Sequence, residues 1–338
     1  MIARKLKIGV SVIAGMAAFA AVPAEAQTFR FSQWIPTAHF SMKDVMHVYF
    51  KDIEKATQGR VKIQPTAKAL GSPPRQYQLV VDGIADMSWG PHGYTPGVHP
   101  LSEMSELPFI TKNTEANSVA YWKVFKKHLQ PAGMHKGVHT LTVHVHPAGH
   151  LYNNKRHVTR VADLKGLKMR IPNRMVSEAL KIFGAVPVAG PVTQLRNGLA
   201  KGVYDGTGFT DEACYAFKLN KFIKYVTHFP GGLYNTSFFG VFNQKAWNKI
   251  SKADQATVMN FSGVSFSKRM GTRWDRQENT FAPRFTKEAK VHTLSGEPLA
   301  QVKSLLAGFE TNWLKKAKKK GVDGVAALKM FRELVASY

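Results

Sequence analysis

The stretch Asp163-Leu-Lys-Gly-Leu-Lys-Met-Arg-Ile-Pro172 places an arginine, Arg170, at the end of a short apolar strand. The segments Ala185-Val-Pro-Val188 and Gly202-Val-Tyr-Asp-Gly206 follow it. An arginine fixed by a rigid strand offers two parallel N–H donors, which match the two oxygens of a carboxylate. The alternative is a structural ion pair with a carboxylate of the protein. Which of the two applies decides the function of the chain.

Strand-like and helix-like segments alternate on both sides of this stretch. Short apolar or alternating segments predict strands at residues 28–31, 61–64, 85–89, 139–146, 167–171 and 238–243. Amphipathic segments predict helices at residues 42–57, 74–83, 116–129, 175–183 and 193–201, and after residue 293. Ser251 is expected to cap a long helix with an interruption at Pro283. Alternating elements favour an α/β fold with largely parallel sheets.

The N-terminus has the three parts of a secretory signal peptide. Basic residues at positions 4, 5 and 7 precede an apolar segment at 8–22, and Ala24-Glu-Ala26 has small residues at the cleavage positions. We expect cleavage before Gln27, and an uncleaved anchor helix is the alternative. The apolar segment is short for a membrane span, so the mature chain is expected to be exported and not embedded in the membrane.

The composition excludes several classes of function. The 47 Lys and Arg residues outnumber the 22 Asp and Glu residues, which gives a net charge of +25 and favours anionic ligands. Nucleic acid is not an expected partner, because the basic residues are spread along an exported chain. Cys214 is the single cysteine, so an internal disulfide is excluded. No motif of a known catalytic centre is present, and we expect neither enzymatic activity nor a cofactor.

A metal site is also not expected. His144 and His146 lie on one face of a predicted strand and form a plausible pair of ligands. No nearby Asp or Glu completes a ligand set, and strand alternation explains the spacing.

Six short motifs occur in a characteristic order along the chain, and together they carry a resemblance. They are Leu70-Gly-Ser72, Val81-Asp-Gly-Ile-Ala-Asp-Met87, Glu106-Leu-Pro-Phe109, the stretch at 163–172, Gly184-Ala-Val-Pro-Val188 and Gly202-Val-Tyr-Asp-Gly206. In this order and spacing, the chain resembles the substrate-binding proteins of TRAP (tripartite ATP-independent periplasmic) transporters over essentially its whole mature length.

The resemblance implies a two-lobed periplasmic binding fold of the type II kind, with the ligand cleft between the lobes and a long helix spanning both. We expect residues 1–26 to form the signal peptide. Residues 27–147 plus 236–275 would form lobe I, and residues 148–235 plus 276–338 would form lobe II. The resemblance also implies that the mature chain resides in the periplasm. The implied function is capture of an organic carboxylate by cleft closure and delivery to the small and large TRAP membrane subunits. A monomer is the expected state.

Arg170 matches the carboxylate-binding arginine of this family. Two positions depart from the family pattern. His150 stands where several members have an arginine, which makes a dicarboxylate ligand less certain. Phe209 stands where many relatives have an asparagine, and a phenyl ring packs against an apolar ligand body.

Further candidate residues follow from aromatic character or from position. Trp89, Trp34 and Tyr234 would line the cleft with Phe209, and core packing is the alternative for each ring. Gln33 and His39 are candidates only because they follow a strand whose carboxyl end faces the crevice.

The expected ligand is therefore an aromatic or 2-oxo monocarboxylate, with a dicarboxylate left open. A binding protein of the same fold that serves a receptor as a ligand sensor is the alternative function. The identity of the acid, its affinity and any accompanying cation do not follow from the sequence.

Overall fold

Two β-sheets, each built from separate parts of the chain, organise the structure. The computed structural model describes residues 26–338, with only the backbone at position 286. The predicted signal peptide, apart from its last residue, lies outside the described residues. Within the part described, none of the helices combines the length and the apolar composition that a bilayer crossing needs.

The first sheet has five strands in the order β2-β1-β3-β10-β4, and the second has six in the order β11-β9-β5-β8-β6-β7. The strands are β1 (Gln27–Ser32), β2 (Val61–Pro65), β3 (Met87–Pro91), β4 (Val138–Val145), β5 (His150–Asn153), β6 (Lys168–Ile171), β7 (Val186–Ala189), β8 (Gly206–Phe209), β9 (Tyr225–His228), β10 (Ser237–Asn243) and β11 (Lys290–Thr293).

Both sheets are mixed, so the prediction of largely parallel sheets is wrong for one strand in each. Strand β10 is antiparallel to β3 and β4, and β5 is antiparallel to β8 and β9. The chain enters each of these strands directly from the other sheet. Parallel neighbours need a crossover connection, usually a helix, and a strand that enters without one can run in the opposite direction.

The two direct connections between the sheets run side by side. One links β4 to β5 and the other links β9 to β10. The backbone N–H of Gly149 donates to the carbonyl of Tyr234 at 2.8 Å, and that of Leu233 donates back to Gly149 at 2.9 Å. A Cβ atom at Gly149 would overlap the Tyr234 ring, so glycine allows the two segments to approach this closely.

Helices flank both sheets, and several begin at a side-chain cap. Asn113, Asn173 and Ser251 each accept a hydrogen bond from a backbone N–H in the first helical turn. The α-helices are α1 (His47–Ala56), α2 (Gln76–Val81), α3 (Thr114–Val124), α4 (Arg174–Ile182), α5 (Val192–Ala200), α6 (Asp211–Ala216), α7 (Gln244–Trp247), α8 (Lys252–Phe261), α9 (Gly263–Glu288), α10 (Gly296–Leu306), α11 (Gly308–Lys319) and α12 (Gly324–Ala336).

The long helix is interrupted at a different residue from the one predicted. The chain is extended at Ser262, and Gly263 has a φ of 55°, which separates α8 from α9. Pro283 lies inside α9, and the helix continues to Glu288. Helix α9 packs against α3 and β4 of one half and against α6 and β11 of the other. It therefore spans both halves, as expected.

The predicted lobe boundaries stay a prediction. The first sheet contains only strands from 27–147 and 236–275, and the second only strands from the remaining segments. The last two helices behave differently, because α12 packs on α3 and α11 packs on the turn Pro100–Glu106. These contacts join the C-terminal segment to elements of the expected lobe I.

Three histidines form a buried cluster behind the first sheet. The Nε2 atoms of His92 and His135 are 2.9 Å apart, and the ring of His99 lies 5.1 Å from each of theirs. Burial lowers the pKa of His99 to about 4 and holds the pKa values of the other two well below their usual range. All three are therefore neutral in the folded protein at pH 7.

The cluster makes the fold sensitive to acid. An unfolded histidine takes up a proton below pH 6.5, whereas folded His99 does so only near pH 4, so stability falls across this window. We expect His99→Phe to reduce the loss of unfolding free energy between pH 7 and pH 4.5 by about 2 kcal/mol. Urea unfolding at both pH values measures this. His157 is exposed, and His157→Phe is the control that should change nothing. Equal effects in both variants would contradict the expectation.

Candidate functional site

A cavity lies between the two halves of the protein. Its walls come from segments that follow β1, β3, β4, β6 and β8, from β10 and from helix α9. Crevices at the carboxyl ends of strands are where α/β folds place ligands. The lining residues are Trp34, Ile35, His39, Trp89, Pro91, Tyr94, His146, Arg170, Pro172, Val192, Phe209, Thr210, Glu212, Ala213, Phe217, Tyr234, Thr236, Phe238 and Trp274.

Arg170 is fixed at one wall of this cavity. It belongs to β6, between β7 and β8, and only 1% of the residue is exposed. Its Nε–H donates to the carbonyl of Gly190 at 2.8 Å, and Nη2 donates to the Tyr94 hydroxyl at 3.0 Å. Two neutral acceptors therefore orient the guanidinium, and among the described residues both N–H groups of Nη1 and one of Nη2 remain available for another acceptor.

No carboxylate of the described residues lies within 4.0 Å of the Arg170 guanidinium. A buried charge is normally paired, because desolvation of an isolated ion is costly. In the part of the chain that the structure describes, Arg170 therefore has no carboxylate with which it could form a structural ion pair.

Tyr94 links the guanidinium to the next helix. Its hydroxyl oxygen accepts from Arg170 and also from the backbone N–H of Val192 at 2.9 Å. With two donors on its oxygen, the hydroxyl can direct its own hydrogen elsewhere. Tyr94 therefore positions Arg170 and is itself a potential donor to a molecule in the cavity.

Aromatic rings form the opposite wall. The Trp89 ring stacks on Phe238 at 4.8 Å and faces Trp34 at 5.9 Å, and Trp274 lies 5.2 Å from Phe238. The indole N–H of Trp34 donates to the Trp89 carbonyl, and that of Trp89 donates to Nε2 of His144. Because both indole N–H groups are satisfied within the protein, the wall presents flat apolar faces to the cavity.

The strand histidines contribute no positive charge to the cavity at pH 7. Burial lowers the pKa of His144 to about 3 and that of His146 to about 4. His144 is engaged by Trp89, and Nδ1 of His146 bonds the Pro147 carbonyl at 2.6 Å. Across residues 26–338, no group of three His, Cys, Asp or Glu side chains is arranged to hold a metal ion.

Glu212 and His39 form a second polar position in the cavity wall. Burial raises the pKa of Glu212 to about 8 and lowers that of His39 to about 4, so both are largely neutral at pH 7. The indole N–H of Trp274 donates to Oε2 of Glu212 at 3.3 Å. The Oε1 atom is buried and has no hydrogen-bond partner among the described residues.

Six of the eight residues predicted from the sequence line this cavity, namely Arg170, Phe209, Trp89, Trp34, His39 and Tyr234. Gln33 and His150 do not. The amide of Gln33 bonds Thr37 and His47 outside the cavity. His150 accepts from the backbone N–H of Phe229 and faces the ring of His228 in a separate cavity.

The sequence reasoning missed Tyr94, Glu212 and Trp274. Tyr94 follows β3 and Glu212 follows β8, so a search of residues after every strand would have included both. Trp274 lies in the middle of helix α9, and its pattern matches ordinary core packing.

Comparisons with known proteins agree with this architecture. The model of the bacterial extracellular solute-binding protein family 7 matches residues 31–324. The chain belongs to this family.

Solved family 7 structures with a similar fold include two with aromatic acids. A TRAP periplasmic solute-binding protein of Bordetella bronchiseptica with bound (R)- and (S)-mandelate is 32% identical, with a TM-score of 0.89 over 92% of this chain and 99% of that one. A marine metagenome TRAP protein in complex with 3-hydroxybenzoate is 30% identical, with a TM-score of 0.85 over 93% and 99%.

One similar protein is described as a transporter of the outer membrane. The outer membrane transporter protein TsaT of Comamonas testosteroni is 26% identical over 87% of this chain and 88% of its own length. The predictions of a TRAP solute-binding protein, a two-lobed binding fold and a periplasmic location are confirmed. Family 7 proteins of the TRAP type bind small organic acids and work with membrane subunits.

The bonds to Tyr94 should contribute to stability as well as to positioning. Tyr94→Phe leaves the Val192 N–H and one Arg170 N–H without their acceptor, which we expect to lower the free energy of unfolding by about 2 kcal/mol. Urea unfolding at pH 7 measures the change. Tyr225→Phe, in β9, removes a hydroxyl that has no hydrogen-bond partner among the described residues and serves as the control. If both variants lose the same stability, the bonds to Tyr94 have no special role.

Proposed function

We propose that this TRAP-type binding protein captures an aromatic monocarboxylate, with Arg170 as the anchor for the carboxylate. The observation that carries the proposal is the buried guanidinium that has no carboxylate partner among the described residues and faces an aromatic cavity. A ligand carboxylate supplies the missing negative charge and accepts from guanidinium N–H groups that Gly190 and Tyr94 leave unengaged.

Two hydroxyl groups without partners are further evidence that a ligand carboxylate binds in this cavity. The buried Tyr234 Oη and Thr236 Oγ1 have no hydrogen-bond partner among the described residues, and both side chains line the cavity. Burial raises the pKa of the Tyr234 hydroxyl, and the charge of Arg170 opposes part of that rise, so the hydroxyl keeps its hydrogen at pH 7 and can donate it. A carboxylate on the guanidinium would place acceptors within reach of such donors.

The charge distribution favours one carboxylate over two. Arg170 is the single Arg or Lys among the described residues that line the cavity, and the histidines there with lowered pKa values are neutral at pH 7. A second carboxylate would meet the buried Glu212 and would be desolvated without a cation. In a monocarboxylate, the rest of the ligand carries no charge and can pack against the aromatic wall.

The aromatic wall supports a flat ligand body. Trp89, Trp34, Phe209 and Phe238 present ring faces or edges to the cavity, and stacked or edge contacts stabilise an aromatic ring beyond simple burial. The ligands of the two similar structures, mandelate and 3-hydroxybenzoate, are both aromatic acids with one carboxylate. Both observations favour an aromatic ring in the ligand.

Capture requires the ligand to hold the two halves together. Arg170 belongs to the second sheet, whereas Trp89 and Phe238 belong to the first and Trp34 follows strand β1 of the first. A ligand that contacts both walls binds the closed form better than the open form and shifts the population towards it. The closed monomer would then deliver the acid to the TRAP membrane subunits.

The anchor is tested by titration calorimetry with benzoate and mandelate at pH 7. Truncating a partner of a buried charge pair costs roughly 2–5 kcal/mol, so Arg170→Ala should weaken binding by about 30-fold or more. Arg170→Lys keeps the charge but not the planar fork, and we expect a loss of about tenfold.

Arg174→Ala is the matched control for the anchor. Arg174 lies four residues further along the chain, is half exposed and pairs with Glu178, and its removal should leave the affinity unchanged. Binding by Arg170→Ala within about threefold of the native protein would refute the anchor role.

The contribution of Phe209 is tested by its effect on different acids. Phe209→Asn replaces a ring with a polar group, and we expect a loss of about tenfold for benzoate and a smaller loss for pyruvate, which has no ring. Phe209→Leu keeps the apolar character, so its affinity for benzoate should lie between those of the native protein and of Phe209→Asn. Calorimetric titrations with both acids measure this. Equal losses for benzoate and pyruvate would argue against contact between Phe209 and the ring.

A further inference from the structure

His39 and Glu212 face each other across the cavity wall without bonding. Nε2 of His39 and Oε1 of Glu212 are 3.7 Å apart, and this distance is too long for a hydrogen bond. Their side chains are only 8% and 2% exposed. Two buried polar atoms therefore lie within reach of a single oxygen atom placed between them in the cavity.

The tautomer of His39 follows from its other nitrogen. The backbone N–H of Ser41 donates to Nδ1 at 3.2 Å, and the Ser41 hydroxyl lies 2.8 Å from the same atom. A backbone N–H can only donate, so Nδ1 is the acceptor and the hydrogen of the neutral ring is on Nε2. His39 thus directs an N–H group towards Glu212.

Glu212 has one engaged and one free oxygen. Oε2 accepts from the Trp274 indole, whereas Oε1 is buried without a hydrogen-bond partner among the described residues. Such a buried oxygen costs free energy until a partner engages it. In the neutral acid, Oε1 can accept a hydrogen bond or carry the proton.

This position is separate from the carboxylate anchor. No carboxylate oxygen of Glu212 lies within 4.0 Å of a guanidinium nitrogen of Arg170. Arg170 is oriented by Tyr94 and Gly190, and Glu212 by Trp274. The cavity therefore has two polar positions with no shared side chain, connected by aromatic surface.

We propose that His39 and Glu212 recognise a hydroxyl group on the ring of the aromatic acid, so that the ligand class is hydroxy-substituted aromatic monocarboxylates. The inference rests on the proposed function, because the aromatic acid is the molecule that carries the hydroxyl. The hydroxyl oxygen accepts from Nε2–H of His39, and its hydrogen bond with Oε1 of Glu212 satisfies the buried oxygen.

The two atoms distinguish a hydroxyl from other substituents. The amino group of an aminobenzoate is neutral at pH 7 and donates, but its nitrogen lone pair is delocalised into the ring, so it would be a poor acceptor for the His39 N–H. A fluorine atom is close to a hydroxyl in size but cannot donate to Glu212. A second carboxylate would bring a charge next to a buried acid. A hydroxyl group both donates and accepts.

Titration calorimetry at pH 7 tests the inference with benzoate and its hydroxy, fluoro and amino derivatives at each ring position. We expect one hydroxybenzoate to bind about tenfold or more tightly than benzoate and than the fluorobenzoate of the same position. In Glu212→Gln, which keeps an oxygen for Trp274, this ratio should fall below about threefold while benzoate affinity changes little. His39→Phe, which keeps the ring, should reduce the ratio in the same way.

His157→Phe is the matched control for His39→Phe, since His157 is exposed and does not line this cavity, and the ratio should persist. If benzoate binds in an Arg170-dependent manner but no hydroxybenzoate is preferred, the inference is overturned and the proposed function stands. A preference for an aminobenzoate, or a ratio unaffected by both variants, also overturns it. If none of the benzoates binds, both the inference and the proposed function fail.

Discussion

The structure depends on the close pairing of the two segments that cross between the sheets. The Gly149 N–H donates to the Tyr234 carbonyl, and the Leu233 N–H donates to the Gly149 carbonyl. The absence of a side chain at Gly149 leaves room for the Tyr234 ring. The crossing segments bring Tyr234, Thr236 and His146 to the cavity. The same pairing reverses β5 and β10 relative to their neighbours. Architecture and cavity therefore have a common origin, because the segments that join the two halves also line the space between them.

In the cavity, one side chain supplies the charge and other side chains supply the packing surface. Arg170 carries the single fixed positive charge among its described lining residues, while burial keeps His39, His146 and Glu212 largely neutral at pH 7. Desolvation strengthens the remaining electrostatic interaction, since a charge in a medium of low dielectric constant acts more strongly than one in water. The indole N–H groups of the tryptophans are bonded within the protein, so their faces contribute packing without adding unsatisfied polar atoms.

Much of the architecture could be predicted from the sequence, because it depends on local patterns. The motif around Arg170 placed that residue on a strand, and the structure has it in β6 with its guanidinium in the cavity wall. Strand direction could not be predicted, since it depends on how the chain returns from the other sheet. The interruption of the long helix was expected at Pro283, yet it falls at Ser262 and Gly263, where Trp122 packs against the backbone. The pairing of Glu212 with His39 joins residues far apart in sequence, and neither has a local pattern that reveals it.

The unpaired guanidinium also has a consequence for the timing of closure. Enclosing Arg170 without an anion costs several kcal/mol, whereas an open cleft keeps the same group hydrated. The empty protein is thereby biased against closing, and the incoming acid removes the penalty at the moment it binds. With Arg170 as the proposed anchor, the conformation that a membrane partner meets would depend on whether an anion is bound. In a rigid protein, a buried unpaired charge only lowers stability. In a hinged protein, the same cost couples the closed conformation to the presence of a bound anion.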